Sequence, residues 1–218
     1  LCDPTYLERC VEVLDGEPDV VLVYPRTRMI GEAGQLLWEH WYNLDMHHRL
    51  PHERLKHLIR NLGGLLAPLY GLVRTTTMRQ TRGLGDFLSP DYVVLAELAM
   101  LGQFREVPDF LFSQRWHAAA SRSPGTSNDQ VVDWHRSQRY PFLEYWTVFA
   151  QHILGILHLQ LSGWDKLRCV SVLPNWLWIW REPLSGELKG LLLKPFSDWP
   201  RRAILRIRRV VRQTIGRR

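Results

Sequence analysis

The sequence has few of the residues that define disulfide-stabilised or zinc-binding proteins. It contains only three cysteines in 218 residues, Cys2, Cys10 and Cys169, and no two of them form a Cys-x-x-Cys pair. A sparse, odd-numbered set of cysteines argues against a disulfide framework and against a zinc site. We therefore expect reduced thiols and a cytoplasmic protein.

Long uncharged hydrophobic runs are also missing. No apolar run reaches the roughly 18 residues that a membrane-spanning helix requires. Hydrophobic residues make up 45% of the sequence and charged residues 23%, which is the balance of a globular protein with a packed core. The sequence thus predicts a globular chain without a transmembrane helix.

Acidic residues are absent from the last stretch of the chain. Residues 201–218 contain eight of the 28 Lys and Arg residues, so the remaining 20 face all 22 Asp and Glu residues. The net charge of +6 therefore belongs to this segment alone. Four branched aliphatic residues are spaced among its arginines as an apolar stripe: Ile204, Ile207, Val211 and Ile215.

This pattern predicts a basic amphipathic helix that lies on an anionic membrane surface. Trp176, Trp178, Trp180 and Trp199 suit the same headgroup boundary. The alternative for the first three is that their helix packs on the rest of the protein. No nucleic-acid-binding motif accompanies the charge, so we expect no nucleic-acid partner.

Alternating helix and strand patterns predict an α/β fold in the first part of the chain. Helices are predicted at 3–16, 51–62 and 89–102, and strands at 20–24, 69–73 and 110–117. Ser, Gly, Pro and Asn dominate residues 118–129 and indicate a linker. Beyond it, residues 142–161 and 164–181 have helical spacing, which Pro174 interrupts. We place a domain boundary at the end of the linker, between residues 1–129 and 130–218.

Five of these segments, in this order, resemble the family 2 glycosyltransferases, which have the GT-A fold. The resemblance covers about residues 3–121 and is strongest over Asp91–Phe104; the other segments are 7–14, 18–24, 70–74 and 107–117. It implies that residues 1–129 form part of a GT-A-like, Rossmann-like domain and that residues 130–218 are a helical extension. In that family a nucleotide-binding half with an Asp-x-Asp motif precedes these segments. Residues 1–6 resemble the part that follows this motif, so we expect a fragment that is inactive alone.

The resemblance implies transfer of a sugar from a nucleoside diphosphate to an acceptor hydroxyl, with inversion. A divalent Mn or Mg ion would assist, with its main ligands in the preceding half. Asp91 matches the catalytic aspartate of the family and would act as general base. Gly71, Arg74 and Arg115 are the predicted substrate-binding residues, and His117 the predicted metal ligand.

Each of these residues also has a purely structural interpretation. Asp91 can cap its helix, Gly71 can mark tight backbone packing, and Arg115 and His117 can be ordinary surface residues. The acceptor cannot be identified from the sequence; a membrane-surface enzyme would suit a lipid-linked or cell-envelope glycan. The alternative function is a non-catalytic membrane-associated protein or a truncated relic without transferase activity.

Overall fold

A computed structural model describes residues 1–40, 44–61, 67–117 and 143–193. The predicted boundary near residue 130 and the basic segment 201–218 lie outside these residues. The helices are α1 Tyr6–Gly16, α2 Pro51–Asn61, α3 Thr75–Met78, α4 Pro90–Leu101, α5 Glu144–His158, α6 Gly163–Ile179 and α7 Arg181–Leu193. The strands are β1 Val20–Ile30, β2 Leu36–His40, β3 Leu72–Val73 and β4 Gln103–Arg115, and a 3₁₀ turn occupies Ala67–Tyr70.

The sheet is mixed and has four strands, with β1 at its centre. Strand β4 pairs with one edge of β1 and runs parallel to it. Strands β2 and β3 pair with the other edge of β1, and both are antiparallel to it. The first half of β1 is a β-branched apolar run, and every side chain from Val20 to Tyr24 is buried. Such a run is typical of a strand covered on both faces, as predicted.

Helices cover both faces of the sheet. Helix α1 packs Tyr6, Cys10 and Leu14 against one face. On the other face lies α4, in which every residue from Val93 to Met100 is buried. A helix that is apolar on all sides must be enclosed by other elements, and α4 is enclosed by β1, α2, α3 and α5.

A buried arginine fastens α2 to the carboxyl end of α4. The Arg54 guanidinium donates from Nε to the Ala99 carbonyl at 2.6 Å and from Nη2 to the Met100 carbonyl at 2.8 Å. Burial lowers the pKa of Arg54 from its ordinary value. A cation at this position satisfies the terminal carbonyls and complements the helix dipole.

The α/β fold followed by a helical segment is thus confirmed, although several element bounds differ from the prediction. Strand β1 continues to Ile30, six residues beyond the predicted end. The predicted strand at 69–73 is reduced to Leu72–Val73, because a 3₁₀ turn that contains Pro68 takes its first half. The first helix begins at Tyr6, because Asp3 accepts hydrogen bonds from Thr5 and forms a turn before the helix.

The helical segment packs on the α/β part through α4 and α2. Helix α5 packs against α4, and α6 packs against α2 and α5. Pro174 lies inside α6 without ending it, contrary to the predicted interruption. Pro174 lies on the exposed side of the helix. Judged by length and hydropathy together, the helices in the described ranges contain no candidate membrane span.

Candidate functional site

The amino end of α4 is held in a strained conformation. Ser89 precedes the helix with φ 58° and ψ 44°, the only residue other than glycine with positive φ among those the structure describes. A non-glycine residue in this region costs about 1–3 kcal/mol unless its surroundings fix it. The hydroxyl of Ser89 donates to the carboxylate of Glu144, the first residue of α5. This bond joins the start of α4 to the start of α5.

Asp91, the predicted base, lies in the first turn of α4. It is half-buried, and its Oδ1 accepts a hydrogen bond from the backbone N–H of Tyr92 at 3.1 Å. A carboxylate in the first turn is favoured by the helix dipole. Ser89 occupies the N-cap position but makes no side-chain capping bond, whereas Asp91 satisfies a backbone N–H of the first turn. The structural interpretation of Asp91 therefore stands beside the predicted catalytic role.

A cavity of about 220 Å³ opens beside this helix start, between α4, α5 and α6. Aromatic rings form most of its wall, and two of its polar groups are the bonded pair Ser89 and Glu144. Its lining residues are Ser89, Tyr92, Glu144, Tyr145, Val148, Trp176 and Trp180. No basic side chain of the described residues lines it.

A buried ion pair fixes α4 against α5 below this cavity. Glu97 is almost completely buried and accepts from the backbone N–H of Arg82 and from its Nε, both at 2.7 Å. The same guanidinium donates to the side-chain and backbone oxygens of Gln151 at 2.8 and 2.7 Å. We call Arg82, Glu97 and Gln151 the α4–α5 clamp. Removal of one partner from such a buried pair typically costs about 3–5 kcal/mol.

His152 follows the clamp on α5 and is fully enclosed. Burial and the neighbouring charge of Arg82 lower the pKa of His152 from 6.5 to about 4. Its Nε2 has no hydrogen-bond partner among the described residues, and its ring meets that of Trp176 edge-on at 5.7 Å. A second cavity of about 10 Å³ adjoins this ring, close to the smallest volume that holds one water molecule.

Gly71 and Arg74 lie at the first half of β1, where both make structural contacts. A side-chain carbon on Gly71 would lie 2.6 Å from the carbonyl oxygen of Val23, so glycine permits close backbone packing there. The guanidinium of Arg74 donates to the carbonyls of Leu14 and Glu17, at the end of α1, and to that of Val20. Their predicted roles in substrate binding stay predictions.

Arg115 and His117 lie at the other end of β1. Arg115 is exposed and donates to the carbonyls of Gly31 and Glu32 in the β1–β2 turn. His117 follows β4 and is half-buried. The eleven residues of β1 extend over about 30 Å, so the structure does not bring Arg74 and Arg115 together.

The described residues do not assemble a metal centre by themselves. Within the described ranges, no three His, Cys, Asp or Glu side chains lie close enough together to hold a metal ion. These residues alone do not fit the divalent ion that the resemblance implies. His117 as a metal ligand stays a prediction, together with the expectation that most ligands come from another segment.

The clamp and His152 were not among the predicted site residues. Arg82 and Glu97 are separated by a turn and most of a helix, and only the packing of α4 on α5 explains why Glu97 is buried with Arg82 bonded to it. The one sequence signal is that Glu97 interrupts an otherwise apolar helix.

Comparison with models of known protein families finds no match, and comparison with curated proteins finds no significant match.

Proposed function

We propose that this chain is part of a family 2 glycosyltransferase with a GT-A-like domain, and that Asp91 is its general base. The observation that supports the proposal most is the position of Asp91, half-buried in the first turn of α4 between Ser89 and Tyr92, which both line the aromatic cavity. A carboxylate at the start of a helix that is fixed in the core can meet an acceptor hydroxyl group.

The proposed reaction proceeds in one displacement. The carboxylate of Asp91 removes the proton of the acceptor hydroxyl as its oxygen forms a bond to the anomeric carbon of the donor sugar. The bond from that carbon to the diphosphate breaks, and the nucleoside diphosphate leaves with the electron pair. A divalent cation would stabilise the leaving diphosphate, and its ligands are expected outside the described residues.

The rigidity of α4 supports the assignment. A general base must be held within hydrogen-bonding distance of the proton that it removes. The α4–α5 clamp, the carbonyl contacts of Arg54 and the Ser89–Glu144 bond fix α4 at its middle, end and start. The helix is therefore held by three contacts, of which the Ser89–Glu144 bond lies next to the first turn and Asp91.

A membrane location is proposed together with the transfer. The basic segment 201–218 would hold the enzyme on the anionic inner surface of the membrane, where a lipid-linked or cell-envelope acceptor is accessible. This segment lies outside the described residues, so its support is the charge pattern of the sequence alone.

The test is sugar transfer by the longest open reading frame that contains these 218 residues, with nucleoside diphosphate sugars as donors. Asp91→Asn should lower kcat by about 10²- to 10⁴-fold with little change in KM. Asp86→Asn is the matched control, because Asp86 is exposed and precedes α4. Full kcat in Asp91→Asn would remove the base assignment. If no donor sugar is transferred, the non-catalytic membrane protein becomes the better description.

A further inference from the structure

Helix α6 is apolar on two opposite sides, although only one of them is packed against other residues that the structure describes. Its inner side contributes Cys169, Val172, Leu173 and Trp176 to the core. The opposite side is exposed at Trp164, Leu167, Ser171, Pro174 and Trp178. These five residues recur at alternating intervals of three and four, which places them along one line of the helix. We call them the outer face of α6.

The outer face of α6 is unusual for a surface in water. Both tryptophans are about two-thirds exposed, Trp164 at 67% and Trp178 at 69%. The face extends over about 21 Å, from the first turn of the helix to the last. The exposed residues of α6 include one charged side chain, Arg168; the others are Gly163, Trp164, Leu167, Val170, Ser171, Pro174, Trp178 and Ile179.

An arginine accompanies each tryptophan of the outer face. The guanidinium carbon of Arg168 lies 6.0 Å from the centre of the Trp164 ring, and that of Arg181 lies 4.7 Å from the centre of the Trp178 ring. Tryptophan prefers the headgroup region of a bilayer, and arginine extends its charge from there to lipid phosphates. Both ends of the face therefore offer the same apolar and cationic pair.

We propose that the outer face of α6 is a docking surface for an anionic lipid bilayer, with both tryptophans at headgroup level. Charge favours this occupant over the basic segment of the same chain. Residues 201–218 contain eight arginines and no acid, so covering the face with them would place like charges beside Arg168 and Arg181. Anionic lipid neutralises all of them. Arg181 also lies 4.0 Å from Glu182, so charge does not decide against a second copy, which the experiment below distinguishes.

This surface goes beyond the proposed sugar transfer and does not require it. It is also separate in sequence from the basic segment 201–218, whose eight arginines would supply most of the attraction between charges. Apolar insertion resists salt, whereas attraction between exposed charges weakens as ionic strength rises. The two contributions can therefore be measured apart in the full-length chain.

The experiment is co-sedimentation of the full chain with vesicles of phosphatidylcholine and phosphatidylglycerol, at low and high salt. Replacement of both Trp164 and Trp178 by serine should weaken partitioning by on the order of tenfold for each tryptophan, at both salt concentrations. Leu7→Ser with Leu84→Ser is the matched control, because these leucines are 59% and 60% exposed and lie outside α6. The control should bind like the unchanged chain.

Two further measurements keep the result interpretable. Replacement of the eight arginines of 201–218 by glutamine should remove the salt-dependent part and leave the effect of the two tryptophans. Phenylalanine at both positions keeps the apolar area and should retain binding. Quenching of tryptophan fluorescence by brominated acyl chains should then decrease, because the two tryptophans at the bilayer surface are gone. Unchanged sedimentation of the double serine variant would overturn the proposal. A concentration-dependent dimer that this variant abolishes, with vesicle binding intact, would overturn it in favour of a second copy.

Discussion

Acid should destabilise this protein through the buried His152. The imidazole is fully enclosed on α5, and its pKa falls from 6.5 to about 4 because burial and the charge of Arg82 both oppose protonation. Glu97, which pairs with Arg82, is the nearest carboxylate in the same cluster. It forms two bonds to Arg82, so it is engaged with the arginine and not with the imidazole.

The sign and size of the effect follow from proton linkage. Above pH 6.5 neither the folded nor the unfolded chain protonates His152, so this residue has no influence on stability. Between pH 6.5 and about 4 the unfolded chain takes up a proton that the folded chain refuses. The free energy of unfolding therefore falls as pH falls, by up to about 1.4 kcal/mol per pH unit. The whole loss is about 3 kcal/mol and is complete below the folded pKa.

The assay is urea unfolding followed by far-ultraviolet circular dichroism across this pH range. His152→Gln cannot titrate, so its free energy of unfolding should lose about 3 kcal/mol less than that of the unchanged chain between neutral pH and pH ~4. His158→Gln is the control, because His158 is exposed near the end of the same helix. Its profile should parallel that of the unchanged chain.

Parallel profiles for His152→Gln and the unchanged chain would refute the reasoning. That result would mean that the folded protein accepts the proton without strain. The small cavity beside the ring suggests how this would happen: a water molecule held there would accept a bond from Nε2 and restore the pKa. The experiment thus also tests whether that cavity is dry.

The remaining predictions concern packing and thiol reactivity. Gly155→Ala should destabilise the fold by about 1–3 kcal/mol in urea unfolding, because its new carbon would lie 2.7 Å from a carboxylate oxygen of the α4–α5 clamp. Gly186→Ala should instead stabilise by about 0.5–1 kcal/mol, since nothing lies within 4 Å of that position in α7; equal effects would contradict the packing argument. Native protein should expose one thiol to a disulfide reagent, that of Cys2, because Cys10 and Cys169 are buried and burial raises their pKa to about 11 and 12. Three thiols should react after unfolding, and rapid labelling of all three in native protein would contradict the burial of both.

The sequence predicted the elements whose side chains have one clear period or one clear environment. Helix α4 was found within one residue because Pro90 and Gly102 mark its ends. The second half of β1 was missed, because Pro25, Arg26 and Arg28 are atypical of a central strand. The structure accommodates the proline at an irregularity in the pairing of β1 with β4, and Glu106 of β4 pairs with Arg26 at 2.9 Å. These are long-range contacts that a local pattern does not encode.

The predicted site residues also differ in how much of their surroundings the sequence reveals. Asp91 was identified by a resemblance that includes its helix, and the structure places that helix start at a cavity. Arg74 was chosen for its position after a strand, but its guanidinium satisfies backbone carbonyls of α1 and β1. An arginine that follows a strand suggests a phosphate contact. The sequence does not reveal that α1 packs so close that its carbonyls accept the hydrogen bonds of this guanidinium.

The contacts that position Asp91 come from parts of the chain that sequence reasoning treated as separate. Ser89 adopts a left-handed backbone conformation, and Pro90 after it disfavours a change to the right-handed helical conformation. The hydroxyl of Ser89 donates to the carboxylate of Glu144 in the helical segment. The α4–α5 clamp joins the same two helices further from their amino ends. Of these contacts, only the Ser89–Glu144 bond lies next to the first turn of α4, so it is the one through which the helical segment fixes the start of the helix. The clamp lies at the middle of α4, and its loss, at about 3–5 kcal/mol, should appear first as lower stability of the fold.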